Sequence, residues 1–134
     1  MNGELNAACI IQHAKVIAKG FTETHVPTLL MLTVSELGEA LEADRKDIHA
    51  NRELFEDAKQ RLLDPNTGYH PAYIKQELKR HFEEDIKNSF EDEIADTFLR
   101  LMDLCGAYNI DIEYYIRQKQ AYNELREYKH GKKY

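Results

Sequence analysis

The sequence predicts an all-α fold, a bundle of four or five helices whose core is completed by homo-oligomerisation. Three observations predict it. Apolar residues recur at three- and four-residue spacing through most of the chain, the period of one helix face. Nowhere do they alternate with polar residues as a half-buried strand would. Start and stop signals also divide the 134 residues into a few long helical segments. Four helices with broad apolar faces, in a chain of one-domain length (1–134), leave surface that a two-fold partner would cover.

The first helix is expected from about Gly3 to Lys19, with Leu5, Cys9, Ile10, Ala14 and Ile17 apolar and Gly20 as its stop. Residues 21–27 connect it to a second helix, which Pro27 is suited to begin and which runs to at least Lys46. The charged stretch from Asp47 to Leu63 either extends that helix or forms its own. Asp64-Pro65-Asn66-Thr67-Gly68 is a turn signal. From Pro71 a long helical pattern runs to about Tyr108, either unbroken or interrupted near Asn88-Ser89, where Ser89 could cap a fresh start. Gly106 and Asn109 mark its end. Asp111 can cap a last helix, expected to run to about Lys129.

Composition narrows the function. A formal charge of −6 and a pI near 5.5 argue against a nucleic acid polymer as the partner. No apolar run approaches the ~20 residues of a membrane span, and the polar start of the chain does not look like a signal peptide. Cys9 and Cys105 fall in apolar helical stretches and read as small core residues, which together with the missing signal suggests a reducing cytoplasm. A disulfide between them stays open.

Two acid pairs, Glu36/Glu39 and Glu93/Asp96, carry the most chemistry. Residues three apart share a helix face, so two such helices packed together would aim four carboxylates at one spot. Spacing alone is weak evidence, because 24 acidic residues give roughly four such pairs by chance. Of the others, Glu39/Glu42, Asp44/Asp47, Glu53/Glu56 and Glu124/Glu127, most lie in polar surroundings and read as solvated faces. The first candidate pair instead borders Leu30, Val34, Leu37 and Leu41, spaced as one buried stripe. The second borders Phe90, Ile94, Phe98, Leu101, Cys105 and Tyr108. Clustered carboxylates need a cation when desolvated. Mg²⁺, with Mn²⁺ as the alternative, takes such oxygen ligands and bridges them to phosphates. The structural alternative is a plain acidic face.

A third element lies on the last helix, where Lys119, Asn123 and Arg126 share one stripe with Ile112 and Ile116. The stripe changes from apolar to cationic, as in a helix leaving the core for a polar site. Lysine and arginine suit phosphate oxygens. The bland reading pairs them with Glu113, Glu124 or Glu127. His13, His25, His49, His70 and His81 show no ligand spacing. Glu127-x-x-His130 has the form used by di-iron bundles, but the second motif that class needs is absent.

With these residues in view, the chain resembles the MazG-like all-α nucleoside triphosphate pyrophosphohydrolases, relatives of the dimeric dUTPases. Ser35-Glu36-Leu37-Gly38-Glu39 and Glu93-Ile94-Ala95-Asp96 are similar to the family's Glu-x-x-Glu and Glu-x-x-Asp motifs. Lys119 to Arg126, followed by His130-Gly131-Lys132, is similar to its C-terminal signature. The likeness covers about residues 29–46 and 90–132. Two departures stand out: Ser35 stands where many members carry a glutamate, and the stretch from Ala40 to Asp92 is long, its extra residues at about 51–79 being either an inserted helix and lid or an oligomer contact.

The resemblance implies hydrolysis of a nucleoside triphosphate to the monophosphate and pyrophosphate, in a homodimer or homotetramer. Glu36, Glu39, Glu93 and Asp96 would be the metal ligands, and Glu36 and Glu39 the catalytic candidates, one of them serving as general base. Lys119, Asn123 and Arg126 would bind substrate, with Lys132 and Lys133 as weaker candidates. Phe21, Tyr108, Tyr115 and Tyr122 are equally candidates for base recognition and for the core. The competing class is a non-catalytic helical interaction or regulatory module, docking through the acidic stretch from Glu83 to Glu93. A third reading keeps the site but cleaves a nucleoside diphosphate or a modified nucleotide.

Overall fold

A computed structural model describes residues 3–133. The described chain is all-helical, with no strand. Its α-helices are α1 (Glu4–Ala18), α2 (Val26–Arg45), α3 (Arg52–Leu63), α4 (Pro71–Asp85), α5 (Phe90–Ala107) and α6 (Ile112–Glu124). Short 3₁₀ turns at Pro65–Thr67 and Tyr128–Gly131 complete it. Six helices replace the four or five expected, because the charged stretch after Lys46 forms a helix of its own and the pattern from Pro71 is also split, between Asp85 and Phe90. The chain divides into two compact units. One gathers the residues up to Leu29 with those from Leu99 onward; the other is Leu30–Phe98.

In the first unit, α1 and α6 are stitched together at their N-termini. Asp111 caps α6 by accepting from the Tyr114 N–H at 3.2 Å. The buried Asn6 donates to the same carboxylate at 2.7 Å and accepts from the Glu113 N–H at 3.3 Å. Glu113 returns a bond, accepting from the Leu5 N–H at 3.2 Å at the positive end of α1. Asn6→Ala would strand these polar groups and is expected to cost about 1–3 kcal/mol, read by denaturant unfolding. Further along, α5 packs on α1 through the His13–Asp103 contact at 2.8 Å and the buried Cys9 and Cys105. The Tyr108 hydroxyl donates to the Thr24 carbonyl.

The last helix stops at Glu124, five residues short of the expected Lys129. Beyond it Glu127 is extended, and Lys129, His130 and Gly131 all take positive φ. Leu125 and Tyr128 are 86% and 89% exposed, so no packed apolar face holds another helical turn.

In the second unit, residues 51–79 form α3, the first 3₁₀ turn and most of α4, a helical hairpin. Asn51 caps α3 by accepting from the Leu54 N–H at 3.1 Å, while Ala58 and Leu62 are buried. Phe55 meets Phe82 edge-on at 6.0 Å. Asp64 and the left-handed Gly68 make the connecting turn. Ser89 caps α5 as its position predicts, accepting from the Asp92 N–H at 3.2 Å.

The break between α2 and α3 is held by bonds the local sequence does not announce. The Phe90 N–H donates to the Ile48 carbonyl at 2.9 Å, and the Asn51 N–H to the Asp85 carbonyl at 2.7 Å. Glu91 accepts from the Ala50 N–H and pairs with His49, each at 2.9 Å. The Ala50 N–H foremost, then His49, pulls the Glu91 carboxyl down to about 2, and Glu91 in turn raises His49. By linkage, the Glu91 contribution is present above the ordinary glutamate value and fades as pH falls through about 2. The His49 contribution is present below the ordinary histidine value and is lost as pH rises through the raised one. Both side chains are about half exposed, so the effect on stability is small. In Glu91→Gln, proton NMR is expected to show His49 titrating at lower pH than in the native chain.

Candidate metal centre

The inward face of α2 is not the one its apolar stripe suggests. Leu30, Met31, Val34, Leu37 and Leu41 are between 44% and 63% exposed, whereas Thr33, Glu36, Ala40 and Ala43 are buried. On α5 the buried positions of this unit are Glu93 and Thr97, with Ser89 just ahead of the helix, while Phe98 lies outside. The buried stripe expected from Leu30 to Leu41 is therefore corrected. Periodicity identifies an apolar face but not what covers it, and within one chain the small and polar faces turn inward. Two acidic residues are buried as a result.

Glu36, Glu93 and Asp96 each place a carboxylate oxygen so that all lie within 4.8 Å of one another. Glu36 and Glu93 are buried and Asp96 is half-buried. Glu39, one turn after Glu36, is exposed, its carboxyl group hydrogen-bonded to that of Glu93. Three of the four carboxylates of the two motifs thus form the cluster; Glu39 lies outside it and lines a cavity together with Glu93. Burial foremost pushes the Glu93 carboxyl up to about 7, helped by the Glu39 hydrogen bond and by the charges of Glu39, Asp92 and Asp96. The donors are all oxygen and all anionic when ionised, a set suited to a hard divalent cation.

A cavity of about 260 Å³ adjoins the cluster, lined by Glu39, Glu42, Ala43, Lys46, Ile48, Asn88 and Glu93. Glu42, set aside in sequence as a solvated acid, lines it and pairs with Lys46 at 3.3 Å. Asn88 reaches it from a left-handed position (φ 63°), its N–H donating to Asp92 at 2.9 Å. The only sequence signal for Asn88 was its place before the capping serine. Asp92, which adds to the charge around Glu93, carried none.

Comparison of the chain with protein-family models, with curated proteins and with solved structures gives no match. The site's own chemistry therefore has to carry the functional reading.

The cationic stripe lies in the other unit and differs from its expected form. No described residue of α6 is buried, and Ile116 is exposed rather than core. Arg126 falls beyond the helix end, yet it and Lys119 meet on one ring. The Lys119 Nζ lies 5.0 Å and the Arg126 Cζ 5.8 Å from the Tyr122 centroid. Asn123 is exposed, its carbonyl accepting from the Arg126 N–H at 3.2 Å. Phe21, Tyr108, Tyr115 and Tyr122 are all exposed, so none is a core residue of the single chain.

Proposed function

We propose that the chain is a Mg²⁺-dependent nucleoside triphosphate pyrophosphohydrolase of the MazG-like kind. The observation that carries this reading is the convergence of Glu36, Glu93 and Asp96, two of them buried, with Glu39 outside the cluster beside Glu93. Buried like charges at this separation repel, and a divalent cation reverses the sign of that interaction. Glu36, Glu93 and Asp96 would hold the ion, with Glu39 binding directly or through water. Held there, Mg²⁺, or Mn²⁺ in its place, would supply neutralisation of triphosphate charge and an easier loss of a proton from the attacking water.

The chain's own residues supply the rest. Glu39 or Glu36 takes the proton from the attacking water, and the exposed Glu39 is the freer of the two to do so. By the family resemblance, Lys119 and Arg126 would hold phosphate oxygens and Asn123 would donate to phosphate or sugar. The cavity beside Glu39 and Glu93, with the Asn88 amide at its wall, takes the nucleoside portion. Attack by water at phosphorus yields the nucleoside monophosphate and pyrophosphate. No helix of the described chain is long and apolar enough to cross a membrane, and we assign the enzyme to the cytoplasm.

The exposed apolar face of α2 supports a homo-oligomer, at least a dimer. Leu30, Val34, Leu37 and Leu41 form a contiguous stripe that a second copy of the chain would bury. Sedimentation should give a dimer or tetramer for the native chain and a smaller species for Val34→Glu/Leu37→Glu. A native monomer would remove the oligomer from the account.

The metal site is tested by melting with and without divalent ion. A ligand that binds only the folded state stabilises it, by about 2.7 kcal/mol at a hundredfold excess over its dissociation constant. Millimolar Mg²⁺ is expected to raise the native melting temperature and to leave Glu36→Gln unmoved. Equal response of both, or none, would favour the non-catalytic helical module.

A further inference from the structure

Cys9 on α1 and Cys105 on α5 lie far apart in sequence, yet both are buried, at 2% and 9% exposure. Both are free thiols, and they line one cavity. The helix backbones are close here as well. A Cβ built on Gly106, the neighbour of Cys105, would overlap the Cys9 carbonyl oxygen. A disulfide needs Cα atoms on the order of 4.4–6.8 Å apart and side chains aimed at one another. Two cysteines that line one cavity across so tight a helix crossing suit the second need, and the backbone approach is of the kind the first requires.

Access comes from a cavity of about 180 Å³ lined by both cysteines, with Asn6, Asn109 and Asp111 as its polar wall. The chain has no third cysteine, so within one molecule only one disulfide can form.

We infer that Cys9 and Cys105 are a latent disulfide, a modification site that closes by exchange with a low-molecular-weight disulfide of the glutathione class. One cysteine, as thiolate, attacks a reagent sulfur, forming a mixed disulfide and releasing one reagent thiolate, which takes up a proton. The second cysteine, as thiolate, attacks the protein-bound sulfur of that mixed disulfide and releases the second reagent thiolate. Two electrons pass from the protein pair to the reagent, and the two thiol protons end on the released thiols. The more exposed Cys105 makes the first attack and Cys9 resolves it. Burial pushes both thiols up, so the thiolate is scarce at neutral pH and closure is slow. The bond would pin α1 to α5 and constrain the unfolded chain over a long loop.

The test incubates the native, folded chain with oxidised glutathione, with reduced glutathione as control. Remaining thiols are then alkylated under unfolding conditions and the protein is mapped without reduction. The expected product is one chain lighter by two hydrogens, with the Cys9 and Cys105 peptides joined, reversed by dithiothreitol and melting several degrees above the reduced form. Cys9→Ser should stop at a stable glutathione adduct on Cys105. Two alkylatable thiols after prolonged oxidation, a persistent adduct on the native chain, or a bond between two chains would each overturn the inference.

Discussion

Glu93→Gln is expected to abolish metal-dependent hydrolysis, lowering turnover by roughly a hundredfold or more, while making the metal-free protein more stable. The first effect follows from its place in the cluster with Glu36 and Asp96. Losing even a residue behind a metal ligand typically costs 10–100-fold, so losing a ligand costs at least that. The second follows from burial. Glu93 is 4% exposed and its carboxyl sits up at about 7, so the folded state binds its proton more tightly than the unfolded state does. Metal-free stability from this group is therefore highest below the ordinary glutamate value. It declines as pH rises through about 7, by up to about 3 kcal/mol. Glutamine removes that decline, and its amide can still donate to Glu39 as the protonated acid does. Thermal melts at pH 5 and pH 8, with and without Mg²⁺, measure both effects. Parallel pH profiles for the two proteins would show that Glu93 ionises normally and is not held against its neighbours.

Gly106→Ala should destabilise the first unit by about 2–3 kcal/mol, the usual range for overpacking against an unyielding neighbour. The added Cβ would overlap the Cys9 carbonyl oxygen, which is backbone and cannot swing away, and would press on the His13 Cβ at 2.7 Å. The same substitution at Gly38 on α2 should have the opposite sign. No atom lies within 4 Å of a Cβ built there and its backbone is helical, so alanine is expected to stabilise by about 0.5–1 kcal/mol. Denaturant unfolding of the two variants beside the native chain decides the pair. Similar changes at both positions would contradict the close packing of α5 on α1.

Helix boundaries were legible wherever the signal was local. Gly20, Ser89 and Asp111 end or cap helices as their side chains and permitted φ values dictate, and Asp64 to Gly68 turns as its composition requires. The boundary after Lys46 was not legible, because the bonds that fix it come from Asp85, Phe90 and Glu91. Nor was the end of α6, where the helix fails for want of any packed face. The inward face of α2 was misread for a deeper reason. The apolar stripe from Leu30 to Leu41 is real, but a pattern cannot say whether its cover is the same chain or another.

At the candidate site the three-residue spacing put each acid pair on one helix face and the apolar residues beside it set it apart from the other acid pairs; Glu36, Glu93 and Asp96 cluster, and Glu39 does not. Asp92 and Asn88 were missed because their roles arise from cap geometry and a left-handed turn, which no periodicity encodes. Lys119 and Arg126 were expected on one helical stripe; the helix ends before Arg126, and the two approach each other over the Tyr122 ring instead.

The most direct test is pyrophosphate release from a panel of ribo- and deoxyribonucleoside triphosphates with Mg²⁺, using the native chain beside Glu39→Gln and Glu93→Gln. The account predicts release by the native protein, dependent on the ion and lost in both folded variants, with the panel ranking the base and sugar. No release from any nucleotide, together with a melting temperature indifferent to divalent ions, would contradict it.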